Sequence, residues 1–125
     1  ENYGYRSGLN QSMVRHLSQK IAKLEKKAHL APSDVVLDIG SNDATSLKAY
    51  ATPGLTRIGI DPTGEKFRAY YPDDIKLVPD FFSSANFDKF GVKRAKIITS
   101  IAMFYDPFFM LFVIPKGIVI QWSWS

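Results

Sequence analysis

Val35-Val36-Leu37-Asp38-Ile39-Gly40-Ser41-Asn42-Asp43-Ala44-Thr45 is the stretch that decides the fold. A short β-branched apolar run stops at a glycine, as a buried parallel strand does. Small and polar residues then open a helical stretch. The same texture repeats downstream. Arg57-Ile58-Gly59-Ile60 is followed by Asp61-Pro62, and Ile75-Lys76-Leu77-Val78 by Pro79-Asp80. Ala95-Lys96-Ile97-Ile98-Thr99-Ser100 and Gly117-Ile118-Val119-Ile120-Gln121-Trp122 are two further runs. Stretches at about 44–51, 64–71 and 83–90 have room for short helices. Strands alternating with helices predict βαβ units, hence a three-layer α/β sandwich with a mostly parallel sheet of about five strands. The stretch from Asp106 to Lys116 fits badly, because a parallel crossover needs a dozen or more residues, usually with a helix. Its apolar segment, Pro107-Phe108-Phe109-Met110-Leu111-Phe112-Val113-Ile114, reads equally as a buried short helix, an extra strand or a segment distorted by truncation.

Upstream, residues 9–30 carry Leu9, Met13, Leu17, Ile21, Leu24 and Ala28 at steps of three or four, which predicts one apolar face of a helix. Asn10 or Ser12 is placed to cap its start, and Pro32 cannot continue it. Arg15, Lys20, Lys23, Lys26 and Lys27 occupy the rest of that helix. They read as a solvated face, with a nucleic-acid or anionic-ligand patch as the sharper alternative. No RNA or DNA motif accompanies them, so no nucleic-acid partner is expected.

The 125 residues amount to a single domain, 1–125, with an N-terminal segment and helix over 1–33, a core over 34–125 and an atypical stretch at 107–125. Hydrophobic residues at 46% and charged residues at 22% exclude a disordered chain. The absence of cysteine excludes a disulfide framework and a Cys-ligated zinc or iron–sulfur site, and two histidines make a protein-held transition metal an unexpected feature. The net charge of +4 is a weak pointer to anionic partners. The stretch Pro107 to Pro115 is too short to span a bilayer, and Glu1-Asn2-Tyr3-Gly4-Tyr5 has no basic and apolar leader character. A cytoplasmic location without membrane contact is the expectation. The chain starts without Met, which reads either as a cut domain or as the ordered residues only.

The chemistry gathers where the strands end. In an open α/β sheet, ligands bind at the carboxyl ends of strands, near the switch in strand order. Gly40 supplies a tight turn there, Ala44 is small enough for close helix–strand packing, and the N–H groups at the helix start suit an anionic group. The dinucleotide pattern G-x-G-x-x-G is not met, since Asn42 and Thr45 stand where glycines belong. Asp38, Gly40, Ser41, Asn42 and Asp43 look more like the loop that holds S-adenosylmethionine (SAM); the plainer alternative is an ordinary strand-to-helix turn. Asp61 ends the second strand about 20 residues beyond Gly40, where an acid can accept both ribose hydroxyls of a nucleoside. It also reads as a helix cap, with Pro62 at the first helical position. Asp80 follows the third strand, with Phe81 and Phe82 behind it, where a carboxylate or backbone group meets an adenine amine and an aromatic stacks on its ring. Either Phe reads equally as a core side chain. Thr99, Ser100, Ile101 and Met103 close the fourth strand, where reacting groups would gather.

Tyr3-Gly4-Tyr5-Arg6-Ser7-Gly8-Leu9-Asn10, Leu37 to Asp43, Gly59-Ile60-Asp61-Pro62 and Ile98-Thr99-Ser100-Ile101-Ala102-Met103-Phe104-Tyr105-Asp106 occur in that order, and together they resemble the sugar C-methyltransferases. These are SAM-dependent enzymes that methylate nucleotide-linked 4-keto-deoxysugars at C3. The resemblance implies a Rossmann-like domain of the class I SAM-methyltransferase type, with SAM as cofactor and a nucleotide-linked sugar as partner. It implies a base that removes the proton beside the ketone, so that the enolate attacks the methyl. Tyr3 or Tyr5 is then an acid/base or substrate contact. Asp38 and the backbone of Gly40 to Asp43 would hold the methionine end, Asp61 with Pro62 the ribose, and Asp80 and Phe81 the adenine. Thr99, Ser100, Ile101 and Met103 would line the methyl.

The chain departs from that family in several places. The family's cysteine-rich zinc domain has no counterpart in these residues, and Ala44 stands where the family usually has Gly. The long helix after Tyr105-Asp106 and the large C-terminal domain with its catalytic histidine have none either; His16 and His29 lie in the first helix and do not match that histidine. A chain so truncated is expected to turn over a sugar very slowly. It is also expected to self-associate through exposed Phe108, Phe109, Phe112 and Trp122. Alternatives are a SAM-binding fragment or interaction domain without turnover, and a nucleic-acid methyltransferase.

Overall fold

The computed structural model describes residues 10–81, 95–102, 109–113 and 121–123, with side chains through 10–81 and 95–100. Helix α1 spans Gln11–Ala28. Of the two candidate caps, Asn10 does the work, its Oδ1 accepting from Met13 N–H at 3.1 Å. Met13, Leu17, Ile21 and Leu24 are buried, as the spacing predicts. Lys26 and Lys27 sit in the last turn, where cations meet the negative end of the helix dipole, and His29 closes the helix in the left-handed region.

Strands β1 (Val35–Ile39), β2 (Thr56–Ile60), β3 (Ile75–Val78) and β4 (Ala95–Ala102) pair in parallel, in the order β3-β2-β1-β4. Between them lie α2 (Thr45–Lys48), α3 (Gly64–Phe67) and a 3₁₀ turn at Arg68–Tyr70, all shorter than the stretches read as helical. The helix expected at 83–90 lies outside the described residues. The first turn of α3 starts at Gly64, so Pro62 sits in the preceding turn and not at the first helical position.

The expectation of about five strands in a mostly parallel sheet is corrected in number. Four strands pair in parallel, and the sheet continues through β5 (Phe109–Val113) and β6 (Gln121–Ser123), each antiparallel to the strand before it. The run that resisted assignment is thus an extra strand. Its register sets Ala102 opposite Phe109 and Ile98 opposite Val113. The connection explains the outcome: a strand can turn back through a short link, whereas a parallel return needs a long crossover. Of the run 117–122, only its last two residues fall in a described strand, β6, and the rest lies outside the described residues. The side chains of Phe108, Phe109, Phe112 and Trp122, expected to drive self-association, also lie outside them.

Alternation along the strands divides the core. Val36, Ile75 and Ile97 face Met13, Leu17, Ile21 and Leu24 of α1 and Leu47 of α2. Val35, Leu37, Ile58, Ile60, Val78, Ala95 and Ile98 form a second buried cluster. Asp38 and Thr99 alternate onto the first of these faces, beside α2. No helix among the described residues is long and apolar enough to cross a membrane.

Candidate functional site

Parallel pairing brings the ends of β1 to β4 to one edge: Ile39 is level with Ile60 and Ser100, and Ile60 with Val78. The strand order reverses between β1 and β4. From β1 the chain moves outward to β2 and β3, then returns to β4 on the other side. That reversal is where ligands of open α/β sheets bind. The Thr99 hydroxyl spans it: Oγ1 donates to Asp38 Oδ1 at 2.6 Å and lies 3.3 Å from Leu37 O. Thr99 and Asp38 are both buried, Asp38 to 1% exposure. Burial pushes the Asp38 carboxyl up to about 7, with the Thr99 hydrogen bond opposing the shift and the Asp61 charge adding to it.

The loop after β1 is held in a tight, left-handed course. Gly40, Asn42 and Ala44 have φ of 74°, 53° and 67°. Glycine and asparagine adopt this region readily, whereas for alanine it is strained. Ala44 is fully buried and packs with Leu47 and Tyr50, so its methyl belongs to the core. The space beside Gly40 is open, since a Cβ built there meets no atom within 4 Å. Gly40 N–H donates to Ile60 O at 2.7 Å, fastening the loop to the end of β2.

Asp61 stands against this loop, 7% exposed. Its Oδ2 accepts from Asn42 N–H at 2.7 Å, and its Oδ1 accepts from Thr63 N–H at 2.8 Å and Thr63 Oγ1 at 2.7 Å. The carboxylate therefore shapes the turn into α3 and also faces the loop. A carboxylate offers about four acceptor positions. Three are taken, so a vicinal diol can use one directly and gains the second by displacing the Thr63 hydroxyl.

The expectation of an anion at the helix start is revised. The Thr45 N–H donates to Asp43 Oδ1 at 3.2 Å, and Thr45 Oγ1 donates to the same oxygen at 2.5 Å, so that N–H is already used within the loop. With four residues in α2, little helix dipole stands behind that position.

Sequence reasoning missed three contributors. Tyr71, beyond the 3₁₀ turn, shares a 2.6 Å hydrogen bond with Ser41 Oγ and donates to Asn42 O at 2.9 Å. Its burial, countered by the Ser41 bond, raises the phenol's pKa and keeps it protonated. Thr63 engages Asp61, as described. Gly59 lets the loop lie against β2, since a Cβ there would stand 2.5 Å from Ser41 Oγ. A glycine inside a strand does signal close backbone approach, but nothing in sequence ties Tyr71 to a loop some 30 residues away.

The remaining candidates divide. Asp80 is exposed, and its Oδ1 accepts from Phe81 N–H at 2.8 Å. Phe81 is 71% exposed, which excludes the core reading for this side chain. Ser100 is half-buried at the end of β4. Ile101 lies in β4, but its side chain is outside the described residues, as are Phe82, Met103, Tyr3 and Tyr5. Among the described residues no group of three or more His, Asp or Glu side chains is placed to hold a metal ion. No protein-family model matches this chain, and no curated protein matches its sequence.

Proposed function

We propose that this chain is the SAM-binding core of a methyltransferase of class I type, with chemistry like that of the sugar C-methyltransferases. The observation that carries the reading is Asp61, a buried carboxylate at the end of β2, hydrogen-bonded to the loop that follows β1 at the reversal of strand order. An acid in that position suits the ribose of a nucleoside. The open space beside Gly40 leaves room for a ligand against the backbone, and the buried Ala44 methyl does not fill it. Asp38 and the backbone of Gly40 to Asp43 would face the methionine end. Exposed Phe81, after Asp80, is available to an adenine ring, and Ser100, Ile101 and Met103 would line the methyl.

When bound, SAM supplies an electrophilic methyl group, so the protein's share is alignment and proton removal. The acceptor is the carbon beside the ketone of a nucleotide-linked sugar, and Tyr3 or Tyr5 is the candidate acid/base. The reaction is one of the cytoplasm.

The test is calorimetric titration with SAM. Asp61→Ala removes an acceptor whose charge-assisted bonds are worth about 1.5–3 kcal/mol each, so affinity should fall at least tenfold. Thr63→Ala frees an acceptor position on Asp61 and should leave affinity intact or improve it. An unchanged dissociation constant in Asp61→Ala returns Asp61 to the role of a turn-forming residue.

A further inference from the structure

Much of what holds the loop after β1 comes from outside it. Asn42 and Ala44 sit at φ of 53° and 67°, a region that costs free energy for a residue with a Cβ. Backbone in such a state persists where its surroundings over-determine it. Here those surroundings belong to one stretch of chain, from the end of β2 to the start of β3. Ile60 O accepts from Gly40 N–H at 2.7 Å. Asp61 Oδ2 accepts from Asn42 N–H at 2.7 Å. Tyr71, just past the 3₁₀ turn, takes the other side of the same residue, its hydroxyl donating to Asn42 O at 2.9 Å. The N–H and the C=O of Asn42 are thus both tied to the second βα unit.

The direction of the hydroxyl's bonds is fixed by chemistry. A phenol has one hydrogen, and a carbonyl oxygen only accepts, so the Tyr71 hydrogen goes to Asn42 O. The Tyr71 oxygen then accepts from Ser41 Oγ at 2.6 Å. Ser41 is buried, and Gly59 makes room for its Oγ, since a Cβ at that glycine would stand 2.5 Å away. The Ser41 side chain therefore lies between the loop and β2. One hydroxyl gathers that side chain and a backbone carbonyl of the loop to a single point. It stays protonated: burial raises the phenol's pKa, the Ser41 bond opposes the rise, and the charges of Asp38, Asp61 and Asp43 add to it. The Tyr71 ring packs against the cluster built on α1 and α2. Phenylalanine at this position keeps that packing and removes only the tie.

We propose that Tyr71 is a positioning residue: its hydroxyl sets the course of the loop after β1, and through the loop the affinity for the amino-acid end of the ligand. This rests on the reading of the crevice as a SAM site. It gives the connection between α3 and β3 a part in binding a ligand that Tyr71 does not itself touch. Asp61, assigned to the ribose, keeps its two bonds from Thr63 when the Tyr71 hydroxyl is gone. The adenosine part of the ligand should therefore be held as before.

The test compares Tyr71→Phe with the unaltered full chain in two measurements. The first is amide hydrogen exchange followed by NMR without ligand. Exchange at Asn42 and Asp43 should quicken about tenfold more than exchange in β1 and β2, because the lost bonds free the loop locally. Equal quickening throughout would make the hydroxyl a contributor to global stability only, and would overturn the proposal. The second is calorimetry with SAM, S-adenosylhomocysteine and 5′-methylthioadenosine, the last of which lacks the amino-acid end. The first two should bind Tyr71→Phe about tenfold more weakly, and 5′-methylthioadenosine with unchanged affinity. Ser41→Ala removes one of the two bonds. It should show the same pattern to a smaller degree and add little to Tyr71→Phe. It also carries the comparison alone if Tyr71→Phe does not fold. Unchanged affinity for all three ligands, or an equal loss for all three, overturns the proposal. No binding of any of them to the unaltered chain overturns the SAM reading and the ligand half of the proposal with it, while the exchange rates still decide whether the hydroxyl sets the loop.

Discussion

At the scale of single residues, the crevice is built from side chains whose cost shows in their surroundings. Asp38 is the clearest case, because burial pushes its native carboxyl up to about 7, well above the usual carboxylate range. The native state then binds more protons than the unfolded state between about pH 4 and pH 7, so stability falls as pH rises through that window. The contribution is fully present below the unfolded value, is lost as pH passes the native value, and is flat above it. Unfolding free energy measured in urea, relative to Asp38→Asn, should therefore fall by roughly 1.4 kcal/mol per pH unit across the window. A flat difference from pH 5 to 8 would show that Asp38 titrates as an ordinary surface acid does. Gly59 is a second case. A Cβ there meets Ser41 Oγ at 2.5 Å and Leu47 Cδ1 at 3.1 Å, whereas one at Gly40 meets nothing. Gly59→Ala should destabilise by about 2–3 kcal/mol through overpacking, and Gly40→Ala by about 1–2 kcal/mol through its positive φ alone. Equal costs in urea denaturation would mean that the loop relaxes away from β2 without penalty.

At the scale of elements, one contact joins pieces that are far apart in sequence. Glu25, near the end of α1, accepts from Ala51 N–H at 3.0 Å, Thr52 N–H at 2.8 Å and Thr52 Oγ1 at 2.6 Å. It caps the chain leaving α2 and fixes that turn against α1. These donors lie near the surface, where water replaces much of what is lost, so Glu25→Ala should cost about 1–2 kcal/mol in urea denaturation. A change under about 0.3 kcal/mol would make the contact incidental. The elements themselves differ in how plainly the sequence announces them. Strands β1 to β3 were legible because β-branched runs end at Gly, Asp-Pro or Pro-Asp, β4 from its β-branched run alone, and α1 because its apolar residues recur every three or four positions. The run Phe109 to Val113 was not, because an unbroken apolar run has no period to separate strand from helix. The site divides likewise. Asp38, Asp61 and the loop were readable from their places at strand ends, whereas Tyr71 and Thr63 act through tertiary proximity that no local pattern encodes.

At the scale of the whole molecule, the fold assembles negative charge where a dinucleotide would bring more of it. Four parallel strands deliver Asp38 and Asp61 to one edge, and the loop between them adds Asp43. In a nucleotide-binding fold of the dinucleotide kind, glycines and a free helix start receive a pyrophosphate. Here Asn42 and Ala44 occupy the loop, α2 is a single turn, and Asp43 already satisfies the Thr45 N–H. A pyrophosphate entering this crevice meets carboxylates, and the N–H groups of Gly40, Asn42, Asp43, Ala44 and Thr45 already donate within the protein, whereas SAM brings positive charge and a ribose. Ligand that binds only the native state stabilises it by about 2.7 kcal/mol at a hundredfold excess over its dissociation constant. For a domain of this size each kcal/mol moves the melting temperature by about 4 °C, so saturating SAM should raise it by roughly 10 °C. NAD at the same concentration should leave the melting temperature unmoved. A rise with NAD that equals or exceeds the rise with SAM would mean that the three carboxylates do not govern which ligand the crevice accepts.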